Sequence, residues 1–338
     1  MMLGAKSAPA SAAVSLSPES ATRPSSEHIT VLLNEAVDAL NIQAGGTYID
    51  CTFGRGGHSK KILEKLGSKG KLYAIDRDLA ALAVGKTITD ARFHIDHLHF
   101  SEVNQLATQH KLSKNGFLGV DGILLDLGIS SPQIDEGARG FSFRFDAPLD
   151  MRMDQSRGKT VAELLTTISE QQLREVIKDY GEERFAKQVA RAIIKERTDG
   201  RAITTTGQLA KIVADAIPKI EPGQNPATRT FQALRIFVNQ ELEELSLILP
   251  QCLNLLAAGG RLVVISFHSL EDRIVKRFIK SEEDRDALPK NFPVKAKDLP
   301  QPRLVSVGKA IKPSAAEVKL NPRSRSAVMR VAMRTATA

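Results

Sequence analysis

Three stretches of this sequence carry residue types and spacings that could do chemistry. The run Tyr48-Ile-Asp-Cys-Thr-Phe-Gly-Arg-Gly-Gly-His58 breaks an apolar strand into a glycine-rich turn, and Leu72-Tyr-Ala-Ile-Asp76 follows after a helix-length gap. Such a turn lets backbone approach a ligand, and an acid ending the next strand can accept hydrogen bonds from a ribose diol. Together they read as half of a nucleoside-binding α/β unit. A plainer reading stands beside it, in which the glycines only make a tight turn and Asp76 only caps the helix after Asp78. The second stretch, Asp126-Leu-Gly-Ile-Ser-Ser-Pro-Gln133, is a polar, stiff turn closing another apolar run. Its plainer reading makes Asp126 a helix cap and Gly128 and Pro132 turn residues. The third, Ser266-Phe-His-Ser-Leu-Glu-Asp-Arg273, has the residue types of a Ser/His/Asp hydrolase. It lacks the G-x-S-x-G elbow, however, and such close neighbours cannot face one another in triad order.

The glycine spacing departs from the dinucleotide fingerprint. With Gly54 and Gly56 as the first two glycines of G-x-G-x-x-G, the third position falls on Ser59, and Gly57 comes one place early. A nicotinamide-dependent oxidoreductase is therefore disfavoured. Asp50 with Gly54, Gly56 and Gly57 instead resembles the first motif of S-adenosylmethionine-dependent methyltransferases, whose glycine loop lets the methionine portion lie against backbone. The second stretch stands where amino-methyltransferases keep an Asp or Asn followed by two prolines. On this reading Asp126, Ser130, Ser131 and Pro132 are the candidate catalytic residues, presenting acceptors that hold an amine's lone pair toward a sulfonium methyl. Such transfer needs positioning more than acid–base power.

The elements that must position these groups alternate. Val31 to Leu40 has helical apolar spacing and leads into a first strand, Thr47 to Asp50; a helix from His58 to Leu66 follows the glycine turn. Lys71 to Ile75 is the second strand, Asp78 to about Lys86 a helix, and Phe93 to His97 a third strand. Val120 to Asp126 and Gly260 to Phe267 are short apolar runs of the kind that form buried parallel strands, the latter after a long amphipathic helix from Thr230 to about Leu256. The expected fold is α/β, a Rossmann-like, mostly parallel, doubly wound sheet. Between those two runs, residues 137–225 read as an inserted helical domain with helices over Val161–Leu165, Glu170–Tyr180, Glu182–Arg197 and Thr206–Ala216. Lys178, Arg184, Lys187, Arg191, Lys195, Arg197 and Arg201 crowd its middle, either as a solvated face or as an RNA contact. Residues 27–136 and 226–338 form the main domain, and residues 1–26, rich in Ala, Ser and Pro, read as a disordered tail.

Composition narrows the classes. The chain has 338 residues, long enough to bury a full core, and 47 basic against 39 acidic side chains leave a net charge of +8 that suits a polyanionic partner such as RNA. Cys51 and Cys252 have no C-x-x-C spacing, so neither a structural zinc site nor a disulfide framework is expected, and a reducing cytoplasm is the natural home. No run of about eighteen apolar residues is present to span a membrane.

Longer blocks carry a more specific resemblance. His28-Ile-Thr-Val-Leu-Leu-Asn-Glu-Ala, Thr52 to His58, Asp126 to Gln133, Arg139-Gly-Phe-Ser-Phe143, Leu149-Asp-Met-Arg-Met-Asp154, Tyr180 to Ala186, Asn225 to Ala233, Ile265 to Ile274 and Asn321-Pro-Arg-Ser-Arg-Ser326 resemble the bacterial 16S ribosomal RNA cytosine-N4-methyltransferase (RsmH or MraW) family. The resemblance implies a cytoplasmic enzyme, with a homodimer as a family-level expectation. It would move methyl from S-adenosyl-L-methionine to N4 of a cytidine in the decoding region (P site) of 16S rRNA, with the small ribosomal subunit as partner. It also implies residue roles: Gly56, Gly57 and His58, in one loop with Gly54, line the methionine portion, Asp76 the ribose and Phe100 the adenine, with capping of the following helix the alternative for His58 and core packing the alternative for Phe100. Asp126 and Gln133 make the remaining cofactor contacts, and His268 with Ser269 stands at the pocket mouth near the target base, structural capping being the alternative. Met151 to Met153 could form a lid or simply pack in the insertion. Arg229, Arg323, Arg325 and Arg330 are candidate RNA contacts with ion pairing as the alternative. Two departures are Cys51, where the family has a small Gly or Ala, and Asn225, where it often has His. Neither a metal nor a covalent adduct is called for by the chemistry. The competing class is a noncatalytic RNA-binding or ribosome-assembly protein.

Overall fold

The computed structural model describes residues 29–114, 117–219, 223, 225–283 and 301–336. The expected disordered tail over residues 1–26 lies outside the described residues. In chain order the elements are α1 (Leu33–Ala39), β1 (Thr47–Asp50), α2 (Gly57–Lys65), β2 (Lys71–Asp76), α3 (Leu79–Gly85), β3 (Phe93–His97) and α4 (Val103–Gln109). A two-stranded hairpin, β4 (Ser113–Lys114) and β5 (Phe117–Leu118), precedes β6 (Val120–Asp126) and the short α5 (Ser131–Asp135). Then come α6 (Val161–Thr167), α7 (Glu170–Gly181), α8 (Ala186–Thr198), α9 (Thr206–Ala216), α10 (Thr228–Asn239) and α11 (Glu241–Leu255). The chain closes with β7 (Leu256–Ser266), α12 (Ser269–Glu283), β8 (Leu304–Ser306), α13 (Ala315–Leu320) and β9 (Val328–Arg334).

Seven strands form one sheet in the order β3-β2-β1-β6-β7-β9-β8. Pairing is parallel from β3 through β7, while β9 runs antiparallel to both β7 and β8. The mostly parallel, doubly wound sheet anticipated from the alternating pattern is thus observed. Its central strand β6 buries Ile123, Leu124 and Leu125 completely, as a strand covered on both faces must. The strand order reverses between β1 and β6, so the loops leaving their carboxyl ends diverge and open a crevice there.

Of the large apolar clusters that result, two bear on the site. One lies on the sheet beneath α4 and α11, through Ile49, Leu106, Leu125, Ile248 and Cys252. The other fills the helical segment with Leu173, Ile177, Val189, Ile193 and Val213, and it continues past residue 225 into α10 through Phe231, Ala233 and Leu234. Met151 and Met153 are buried in this second cluster, so the packed reading of that pair holds rather than the lid. Two of the seven basic residues of this region have partners within it: Arg197 donates to the Leu165 and Ile168 carbonyls at the end of α6, and Arg201, just past α8, pairs with Glu196 and Asp199.

The single helix expected from Thr230 to Leu256 is two helices, broken at Gln240, whose φ of 52° is left-handed. The cause is Asn239. Its Oδ1 accepts from the Met153 amide at 2.8 Å, its Nδ2 donates to the Met151 carbonyl at 2.7 Å, and its own carbonyl accepts from Arg77 at 2.9 Å. Tertiary partners take over from the next helical turn, and apolar spacing carries no trace of that exchange. Likewise α8 begins at Ala186 rather than Glu182, because Glu182 adopts φ 50° to end α7.

Asn239→Ala leaves the buried Met153 amide and Met151 carbonyl without these partners. The expected loss is about 2–4 kcal/mol in chemical denaturation, at the cost per stranded buried group typical of such removals. A change below about 0.5 kcal/mol, the scale of a neutral surface substitution, would show that the break has another origin.

Candidate active site

The crevice at the β1/β6 reversal deepens into a cleft of about 340 Å³. Gly54, Arg55, Gly57 and His58 form one wall, Asp76 to Asp78 and Phe100 a second, and Asp126 to Gln133 a third. The glycine loop is shaped by necessity. Gly54 and Gly56 have φ of 56° and 75°, and a Cβ at Gly56 would lie 2.6 Å from the Phe53 ring, while one at Gly57 would lie 1.9 Å from Thr30 Oγ1. Gly56 itself is not among the lining residues; it makes the turn that lets Gly57 and His58 reach the wall.

Asp76 separates from its plainer reading. The residue that caps α3 is Asp78, whose Oδ1 accepts from the Ala80 amide at 3.0 Å. Asp76 Oδ2 accepts from the Gly54 amide at 2.7 Å and Oδ1 from the Asp78 amide at 2.8 Å, so the carboxylate fastens the glycine loop to β2 and still faces the cleft. Each oxygen keeps a lone pair for a further donor. Phe100 lies on the same side with the Arg77 guanidinium 5.7 Å from its ring centre. Arg77 is fixed by Asn239 and by Met153 Sδ at 2.8 Å.

Asp126 ends β6 with its amide donating to Thr52 Oγ1 at 2.7 Å, which stitches the two strands at the reversal point. Its Oδ2 lies 3.7 Å from His58 Nδ1, and its Oδ1 is enclosed with no hydrogen-bond partner among the described residues. Burial, then the charges of Asp50 and Glu271, push its carboxyl well above the usual carboxylate range. Asp50 points away from the cleft: Ser59 Oγ donates to it at 2.6 Å and the Thr52 amide at 3.1 Å. Burial raises its carboxyl to about 6 against those bonds.

Ser130 to Gln133 enter α5, with Pro132 in its first turn. Gln133 Oε1 accepts from the Ser130 amide at 2.9 Å, and its Nε2 donates to Asp78 Oδ2 at 2.7 Å. Arg139, which the residue-level reading passed over, donates to the same oxygen at 2.9 Å and to the Met153 carbonyl at 2.9 Å. It was visible only inside the block Arg139 to Phe143. Arg235 was also missed: it lines the cleft and clasps Glu241 through two bonds, of 2.8 and 2.9 Å.

His268 is not among the cleft-lining residues; Phe267 holds that place. The His268 Nε2 lies 3.2 Å from Glu271 Oε1, and Glu271 Oε2 accepts from the Phe267 amide at 2.8 Å. Burial works to raise Glu271, but His268 and Arg235 outweigh it and hold the carboxyl low. Of the proposed RNA arginines, Arg323 is paired with Asp135 and Arg330 with Asp272, while Arg229 donates to the Glu182 carbonyl at 3.4 Å.

Glycine-lined backbone, an acid at the second strand end, an aromatic wall and an enclosed acceptor are the parts of a nucleoside-sulfonium site, and residues 25–335 match the MraW methylase family. The chain belongs to that family. It is 69% identical over 311 residues to the ribosomal RNA small subunit methyltransferase H of Methylobacillus flagellatus, covering 92% of this chain and 95% of that protein. The protein of the same name from Azoarcus sp. strain BH72 is 60% identical over 312 residues, 92% and 98% of the two chains. That from Neisseria gonorrhoeae is 56% identical, over 91% and 96%. Acids and arginines both line the cleft, Asp76, Asp78, Asp126, Glu136 and Glu241 beside Arg55, Arg77, Arg139, Arg235 and Arg323, and of these Asp126 and Asp76 carry lone pairs left for a ligand.

Asp50 supplies a pH test of this electrostatic frame. Its folded carboxyl titrates near 6 and the unfolded one near 4, so the folded state holds the proton longer and stability falls as pH rises between those values, by roughly 3 kcal/mol in total. Asp50→Asn removes that slope: at pH 7 it is expected to melt higher than the parent chain, and at pH 4 no higher. An equal effect at both pH values would show that the buried charge is not the cause.

Proposed function

We propose that this chain methylates the exocyclic N4 of a cytidine in the decoding region (P site) of 16S rRNA, using S-adenosyl-L-methionine, in the cytoplasm. The observation that carries the reading is the enclosed Asp126 Oδ1, an acceptor without a partner among the described residues, beside a glycine loop at the sheet's reversal point. The relatives named above supply the small-subunit RNA as substrate class.

The residues divide the work as follows. Gly54, Gly57 and His58 would hold the methionine portion, Asp76 the ribose hydroxyls and Phe100 the adenine face, with Gln133 keeping the neighbouring loop in place. The bound donor supplies an electrophilic methyl on a positively charged sulfur. Asp126 accepts a hydrogen bond from the cytidine amine and turns its lone pair toward that methyl, so the catalytic contribution is orientation. The raised carboxyl also makes Asp126 a better acceptor for the proton that leaves the amine once the N–C bond has formed. Ser130, Ser131 and Pro132 stiffen the loop around the base, and His268 acts behind Phe267 through Glu271. A cytidine reaches this depth only when splayed from its stack. The helical segment over residues 137–225 is assigned to RNA recognition.

With labelled donor and immature small subunits, label is expected on cytidine N4. Asp126→Asn should lower the turnover rate by about 10²-fold or more at saturating donor. In the parent chain activity should fall as pH drops through a transition lying above the ordinary carboxylate value of about 4, and that limb should vanish in the variant. Label on another atom, or full turnover by Asp126→Asn, contradicts the proposal.

A further inference from the structure

At the β3 edge of the sheet, outside the cleft, three donor side chains converge. His94 and Asp96 are two residues apart on β3, the edge strand, and so project from one face; His110, the residue that ends α4, closes on them. His110 Nε2 lies 2.7 Å from Asp96 Oδ2, His94 Nε2 lies 3.4 Å from Asp96 Oδ1, and the two imidazoles stand edge to face with centres 4.1 Å apart. One donor atom from each residue falls within 4.8 Å of the others. The Tyr73 ring packs beneath, 4.9 Å from His110.

Among the described residues, two other groupings resemble this one and differ in one respect. Glu241, His268 and Glu271 also bring donors together, but Arg235 clasps Glu241 through both carboxylate oxygens. His97 and His99 approach Asp154, but Arg157 already pairs with that carboxylate at 2.7 Å. Asp96 pairs only with the two histidines and with no Lys or Arg among the described residues. A guanidinium supplies the positive charge in the first two places; at Asp96 a metal ion can supply it.

The geometry points to a divalent metal site at His94, Asp96 and His110, selective for zinc and similar imidazole-preferring ions over magnesium. Ligands bound to zinc at about 2.0–2.1 Å in tetrahedral array stand roughly 3.3 Å apart, so the three donors need shift by only about an ångström. Two imidazoles and one carboxylate leave an open fourth position for solvent, and imidazole donors disfavour the oxygen-seeking ions. The chain between the ligands holds Phe100 at the start of the turn before α4, so the ion would fasten β3 to the end of α4 across the segment that forms one wall of the cleft.

The test uses the full untagged chain, stripped with chelator and titrated calorimetrically with zinc and separately with magnesium. One zinc per chain is expected, with no magnesium binding, and a rise in melting temperature that grows with zinc concentration. His94→Ala and His110→Gln should each weaken zinc about 100-fold. The second variant keeps a donor for Asp96 and guards against a merely unfolded chain, which circular dichroism without metal would reveal. His268→Ala should leave zinc affinity unchanged. No zinc uptake by the parent chain, equal affinity in the His94 and His110 variants, or loss of binding in His268→Ala instead would each overturn the assignment.

Discussion

The carboxylate of Asp78 joins three parts of the molecule that lie far apart in sequence. One oxygen caps α3, and the other accepts from Gln133 and from Arg139. Gln133 fixes the loop after β6, and Arg139 carries the tie onward to the Met153 and Arg152 carbonyls at the root of the helical segment. The wall that follows β2, the loop that ends in Asp126's neighbours and the inserted helices therefore share one buried anchor. A buried charge is tolerable only when paired and hydrogen-bonded, and removing one partner of such a set costs about 3–5 kcal/mol. Two of the three walls of the cleft meet at this junction.

Around that anchor the cleft concentrates unlike demands. Asp50 and Asp126 are pushed upward by burial and by other carboxylates, while Glu271 is held low by His268 and Arg235. The fold bears the cost of gathering acids at one point, and it does so at the place where the strand order reverses. The same enclosure leaves Asp126 Oδ1 with a lone pair directed at no protein group among the described residues, which is the feature an incoming amine would use.

The central strand Val120–Asp126 was legible because a strand covered on both faces is mostly apolar; Thr47–Asp50 and the edge strand Phe93–His97, which keeps His94 and Asp96 partly exposed, also have the expected ends. The glycine loop was legible because only glycine tolerates its dihedral angles and close contacts. What escaped was set by contacts across long stretches of chain. Asn239 ends a helix for the sake of Met151 and Met153, and Arg139 serves an acid 61 residues before it. The resemblance put His268 at the pocket mouth; Phe267 lines the cleft and His268 sits next to it against Glu271, a split that sequence position alone does not show. The basic run around α8 was ambiguous because some of its members, Arg197 and Arg201, bond helix-end carbonyls and local acids, roles no charge count distinguishes from RNA contacts.

The central claim is that Asp126 orients the amine that receives the methyl group. A crystal structure of the chain with S-adenosylhomocysteine and cytidine tests it directly. The adenosine is expected between Asp76 and Phe100, and the cytidine N4 within about 2.7–3.2 Å of an Asp126 carboxylate oxygen, facing the sulfur. A cytidine bound with its amine turned away from Asp126, or a nucleoside seated outside the glycine loop, would contradict the account.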